Sequence, residues 1–220
     1  MKRRDLMACI GTAATTYLIA APAYSAAVVG QKAPEFTAKD ATGKTVNLAD
    51  FKGKTVVLEW VNPGCPYVKK HYGAGNMQST QKDAASSGVV WLAINSTDTA
   101  HPDYLAPTAL QKWMTGQKAA ATHTLMDESG TIGQQYAART TPHMYIISPQ
   151  GNVVYAGGID SIASANPADI KTATNYVKQS LGEVAAGKPV SNANTKPYGC
   201  SVKYKSQTRE VRNARWARKA

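Results

Sequence analysis

Apolar and polar positions divide the chain into short β-rich runs separated by helical stretches. Phe36 to Lys39 and Thr45 to Asn47 have strand character, and Asp40-Ala41-Thr42-Gly43 between them favours a turn. Thr55 to Val61 is mostly apolar and β-branched, the pattern of a strand buried on both faces. Pro63 and Gly64 end it. Pro66 suits the first position of a helix, and the spacing predicts that helix as far as about Ser86. Val89 to Ile94 repeats the buried-strand pattern. A loop with His101, Pro102 and Pro107 leads to a predicted helix over Thr108 to Gln117. Thr124 to Met126 reads as a strand and Ile132 to Ala138 as a short helix. Met144 to Ile147 and Val153 to Ala156 read as a hairpin turning through Pro149 to Asn152. Ala168 to Ala186 is a predicted helix that stops near Gly187-Lys188-Pro189. Strands alternating with helices, closed by a hairpin and a helix, predict a layered α/β fold.

The ends of the chain are different in kind. Lys2, Arg3 and Arg4 precede an apolar stretch from Leu6 to Ala23, and small residues cluster at Ala23, Ser25, Ala26 and Ala27. That order reads as a secretory signal peptide, taken here as residues 1–25, and it implies a periplasmic or secreted protein. Arg3-Arg4 also admits twin-arginine export. Removal takes Cys9 away and leaves Cys65 and Cys200. From Lys188 onward periodicity fails and Asn, Ser, Pro and Gly dominate. The expected domains are the signal, a core over 26–187, and a C-terminal extension over 188–220.

Charge sharpens this division. The chain carries a formal net charge of +11. Lys196 to Ala220 holds eight Lys or Arg against one acid, Glu210, so the basic character sits in the tail. The body is close to neutral, which argues against a nucleic-acid partner. Gln207 to Lys219 reads as a marginal helix or solvated tail, with weak membrane-surface contact as the other reading.

The candidate chemistry lies between Glu59 and His71. Cys65 falls at the N-cap of the helix that Pro66 opens. There the helix dipole and unpaired N–H groups favour an anion, so the thiol pKa should fall and the thiolate should be the nucleophile. Lys69 is one turn along, and His71 is less well placed. Thr141-Pro142, just before a central strand, suits a cis peptide bond at a tight turn. His143, beside it, either faces the site or packs as a neutral ring. His101 and His123 suggest no metal site.

These motifs resemble the thioredoxin-like redoxins that join peroxiredoxins and thioredoxins. The likeness rests on Ala33-Pro34-Glu35-Phe36, Asp40 to Lys44, Leu48 to Lys54 and the Cys65-Pro66-Tyr67-Val68 motif. Lys196 to Tyr204 resembles the C-terminal motif of a peroxiredoxin-like subgroup. The resemblance implies a thioredoxin-like fold: a central mixed β-sheet flanked by helices, with an N-terminal β-hairpin extension. It implies that Thr141 and Pro142 lie opposite Cys65 and offer backbone groups to an extended substrate. Asn62, Trp60 and Tyr67 join them as candidate substrate-binding residues, with simple packing as the other reading of the two aromatics.

Departures from the family pattern narrow the activity. Val68 stands where thioredoxins have a second cysteine. Asn62 replaces the Thr or Ser that precedes a peroxidatic cysteine, and Pro142 stands at the position of the peroxide-activating Arg, with which Arg139 does not align. Lys69 stands where copper-delivery relatives have a cysteine. No metal or cofactor is expected. Glu59 stands where thioredoxins bury a proton-transferring Asp; it is either that buried base or an exposed edge residue. Cys200 is a resolving thiol, a structural partner of Cys65, or a lone thiol. The expectation is an exported thiol–disulfide oxidoreductase with Cys65, Cys200 and Glu59 as candidate catalytic residues. Its substrate is a thiol or disulfide protein or a small hydroperoxide, and an electron donor completes the cycle. A thiol peroxidase and a non-catalytic binding module with a Cys65–Cys200 bridge are the alternatives.

Overall fold

The two apolar runs around the cysteine form adjacent parallel strands at the centre of a sheet. The computed structural model describes residues 27–205. The expected signal segment and the basic tail helix over 207–219 lie outside the described residues. An N-terminal hairpin, β1 (Thr37–Asp40) and β2 (Thr45–Asn47), precedes β3 (Val56–Trp60). Two helices follow, α1 (Pro66–Gly73) and α2 (Asn76–Ser86), then β4 (Val90–Asn95) and α3 (Pro107–Gly116). Next come β5 (His123–Met126), α4 (Thr131–Gln135), β6 (Thr140–Thr141), β7 (His143–Ile147) and β8 (Val153–Gly157). The last elements are α5 (Tyr176–Ala185) and β9 (Cys200–Ser201).

The seven-stranded sheet runs β2-β1-β5-β4-β3-β7-β8. β3 pairs parallel with β4 from Val56↔Val90 to Trp60↔Ile94, and antiparallel with β7 from Val56↔Ile147 to Trp60↔His143. All five β3 residues are buried, as an apolar strand between two neighbours requires. Its alternation sorts side chains onto two faces. Val56, Leu58 and Trp60 join one core with Tyr136 and Tyr145. Val57, Val61 and Cys65 join the other with Val68, Tyr72 and Met144.

Three expectations change. The helix expected from Pro66 to Ser86 is two helices, because the chain turns at Ala74 and Gly75, the latter at φ +73°. That left-handed backbone suits glycine. The helix expected from Ala168 begins instead as a 3-10 turn over Pro167–Lys171, and α5 starts only after Asn175. Asn175 caps it by accepting a hydrogen bond from Lys178 N at 3.0 Å. The segment before Cys200, which lacks any periodic pattern, is nevertheless bound to the sheet edge.

That segment, residues 194–204, forms a strap. Asn194 bridges to Ala156. The Thr195 hydroxyl accepts from Gly158 N at 3.0 Å and bonds Tyr155 Oη at 2.7 Å. β9 pairs antiparallel with β6, with Thr141 opposite Cys200 and Thr140 opposite Ser201. Val202 N donates to Arg139 O, Asp98 N to Lys203 O, and Tyr204 Oη to Ala138 O. The strap lies so close to the domain that glycine is required beneath it. A Cβ on Gly157 would stand 2.0 Å from Thr195 Oγ1.

Candidate active site

The turn Asn62-Pro63-Gly64-Cys65 is built by Asn62. Its Oδ1 accepts from Gly64 N at 2.7 Å, and its carbonyl accepts from Cys65 N at 3.0 Å. Cys65 then takes the N-cap of α1 with extended backbone, and Pro66 follows at the first helical position. Lys69 N donates to the Cys65 carbonyl at 2.9 Å, closing the first turn. The sulfur is 2% exposed at residue level and lies over the Thr141–Pro142 peptide, which is cis. Its thiol donates to Thr141 O at 3.0 Å.

The strap completes the site. Gly199 approaches Thr141 so closely that a Cβ there would stand 2.1 Å from its carbonyl oxygen, and its φ is +136°. Only glycine tolerates both conditions. Cys200 follows, half-buried, with its thiol hydrogen-bonded to Cys65. Both cysteines are free thiols.

The two sulfurs are electrostatically unequal. Burial opposes ionisation of Cys65. Donors from Cys200, the Thr141 side chain and the N–H groups of Val68 and Cys200 outweigh it and lower the thiol pKa. The Thr141 hydroxyl is buried and has no other hydrogen-bond partner among the described residues. It is therefore a donor free to serve a thiolate. Burial, the bond to Cys65 and the Cys65 charge raise Cys200 to about 11. One sulfur is poised as the thiolate, the other as its proton-bearing partner.

Glu59 is fully buried, which removes its reading as an exposed edge residue. Its carboxylate accepts from Trp91 Nε1 at 2.8 Å, Tyr72 Oη at 2.9 Å and Gln81 Nε2 at 3.1 Å. Burial outweighs these donors and raises its pKa to about 7. None of the three partners is Cys65; Tyr72 connects the carboxylate to α1.

The remaining candidates separate. Tyr67 is half-buried and meets the strap edge-on through Tyr198, with ring centroids 5.8 Å apart. Trp60 does not line the site. It is fully buried on the opposite face, packed on Tyr136 and Tyr145, and donates to Ser96 Oγ at 3.0 Å. His143 packs on Tyr145 and accepts from Arg139 N at 3.2 Å; burial lowers its pKa to about 4, so the ring is neutral. Lys69 is exposed. Sequence reasoning missed Tyr198, Gly199 and Asp160, although the first two lie inside the Lys196–Tyr204 motif. Asp103 was also missed: it accepts from Asn62 Nδ2 at 3.5 Å, and its charge acts on Cys200.

A mixed sheet that sets a helix-start cysteine against a cis proline is the thioredoxin-like fold, and the solved structures agree. An uncharacterised conserved protein from Geobacillus kaustophilus superposes with TM-score 0.70 at 25% identity, covering 82% of this chain and 94% of that one. A hypothetical protein from Sinorhizobium meliloti 1021 superposes with TM-score 0.69 at 23% identity, covering 83% and 97%. Residues 29–156 match the AhpC/TSA family, and the chain belongs to it. It is 27% identical over 125 residues to the thiol-disulfide oxidoreductase ResA of Bacillus subtilis (strain 168). That match covers 57% of this chain and 64% of the relative, so the chain spans less than two thirds of the relative's length.

Proposed function

We propose that this protein is an exported thiol–disulfide oxidoreductase whose redox couple is Cys65 and Cys200. The observation that carries this reading is the register of β9 on β6. It puts Cys200 opposite Thr141 and against the Cys65 sulfur. No local second cysteine is then needed, because the strap supplies it across 135 residues of sequence. The names of the ResA relatives support the same class of reaction. The basic, apolar and small-residue order of residues 1–27 supports export.

In the reduced protein Cys65 is the nucleophile. Its thiolate is stabilised by the helix start, and Cys200 completes the couple. Cys200 is the more exposed sulfur of the dithiol, so once the couple is oxidised an incoming thiolate attacks there. The electron pair then leaves on Cys65, the better leaving group because its thiol pKa is lower. A thiol or disulfide protein is the substrate; Asn62, Thr141 and Pro142 are buried and β9 already pairs with Thr141, so of the expected substrate-binding residues only half-buried Tyr67 is accessible while the strap is in place. Glu59 is the buried base of this reading, since a carboxylate titrating near pH 7 exchanges its proton in the working range.

The test is disulfide-exchange turnover with a model protein disulfide. Cys65→Ser should abolish it, and Cys200→Ser should stall it at a mixed disulfide on Cys65. Unchanged turnover in Cys65→Ser overturns the proposal. Peroxide should oxidise Cys65 no faster than it oxidises free cysteine, because Asn62 offers no hydroxyl and its Nδ2 donor is directed to Asp103.

A further inference from the structure

α1 carries two buried groups on the turn after its cysteine. Lys70 is 2% exposed and His71 fully buried. Asp160, beyond β8, faces both. Its Oδ2 stands 3.6 Å from Lys70 Nζ and 3.8 Å from His71 Nε2, and has no hydrogen bond of its own. Its Oδ1 accepts from Ile162 N at 3.1 Å and from the hydroxyl of Tyr198. The same hydroxyl lies 3.1 Å from His71 Nε2.

The direction of this chain of bonds follows from its ends. Burial lowers His71 to about 4, so the ring is neutral. Asn76 Nδ2 lies 2.8 Å from His71 Nδ1 and donates to it, which leaves the ring proton on Nε2. Nε2–H therefore donates to Tyr198, and Tyr198 O–H donates to Asp160. The Lys70 ammonium also sits over the face of the Tyr198 ring, 5.7 Å from its centroid. A buried lysine–carboxylate pair is costly unless its remaining valences are filled. Tyr198, from the strap, fills one of them.

Tyr198 and Cys200 are two residues apart on the strap, and Cys65 and His71 lie on one short helix. The strap is thus attached to α1 at two points, one of which needs no covalent bond. We propose that Tyr198 is a positioning residue that sets the redox poise of the Cys65–Cys200 couple by holding Cys200 against Cys65 in the dithiol. The proposal rests on the couple proposed above. A latched thiol closes its disulfide at high effective concentration, because the loop has already been ordered. Against glutathione disulfide the step balances. The glutathione S–S bond breaks and a Cys65–Cys200 S–S bond forms. Two electrons pass to glutathione, and each of its two sulfurs takes up one proton released by the protein thiols.

The experiment equilibrates the full chain in glutathione redox buffers and quantifies the disulfide after acid quenching and alkylation. Tyr198→Phe keeps the ring and removes the hydroxyl. Its equilibrium constant for disulfide formation should fall about tenfold, a rise in potential of about 30 mV. Thr195→Val removes the neighbouring strap anchor and should shift the constant the same way by less. It keeps the test decisive if Tyr198→Phe fails to fold. A Tyr198→Phe constant within about threefold of wild type, or a Thr195→Val constant indistinguishable from wild type, overturns the proposal, since loss of a merely structural contact lowers stability without moving the potential. If wild type forms no Cys65–Cys200 disulfide at any buffer ratio, the couple itself is wrong, a result distinct from an unmoved potential.

Discussion

The helix start and the strap bring one cysteine each to the same place, by opposite means. Cys65 is set by its immediate neighbours: Asn62 shapes the turn, Pro66 opens the helix, and Tyr72 fastens that helix to the buried Glu59. Cys200 is set by nothing near it in sequence that has a periodic pattern. Hydrogen bonds from Thr195 to Tyr204 hold it over a floor of glycines. A cysteine fixed by local rules keeps its geometry when distant contacts are lost. A cysteine fixed by a strap is as reliable as the sum of its attachments.

The sharpest probe on the helix side is Glu59→Gln. The folded pKa of Glu59 is raised to about 7 from an ordinary 4.5. The folded state therefore holds a proton that the unfolded chain has released. This contribution is fully present below about pH 4.5 and is lost as pH rises through about 7. Across that window wild type should lose about 3 kcal/mol from this group, and the variant should not. His71 and His143, both lowered to about 4, run the other way, gaining stability as pH rises from about 4 to about 6.5. Urea unfolding of both proteins across pH isolates the glutamate by difference. Parallel curves would break the link between the helix start and a titrating core.

On the strap side the probe is Gly199→Ala. The added Cβ meets the Thr141 carbonyl, so β9 should lift while the sheet stays folded. Alkylation of Cys65 should accelerate roughly tenfold or more, because the opening that exposes it becomes cheap. An unchanged alkylation rate would mean that the strap does not cover the cysteine. The smallest effect is expected from Asn62→Ala, which removes the bond to Gly64 N. It should cost about 1 kcal/mol in thermal unfolding and raise the Cys65 thiol pKa slightly. A large activity loss at unchanged stability would favour the substrate-binding reading of Asn62 over a role confined to the turn.

The same contrast decides what could be read in advance. β3, β4 and the β7–β8 hairpin are plain in the sequence, because continuous apolar runs and turn residues are local signals. The N-cap position of Cys65 is plain for the same reason. Trp60 falls on its packing reading, and the signal that decides between the two is local. In β3 it alternates with Glu59, and Cys65 shares the core of Val57 and Val61. The burial of Lys70 and His71 has no local signal, because it depends on Asp160 and Tyr198, which arrive from far along the chain. The strap defeats pattern reading altogether. Its order comes from single hydrogen bonds and from glycines whose role appears only when another segment lies on them.

β9 lies where an outside strand would pair with β6. Any protein segment that docks there is a competitor of the chain's own tail. Its apparent affinity is its intrinsic affinity reduced by the fraction of molecules with the strap lifted. Discrimination among such segments would then need no elaborate pocket: each would have to outcompete a fixed internal rival for β6 before it met a sulfur.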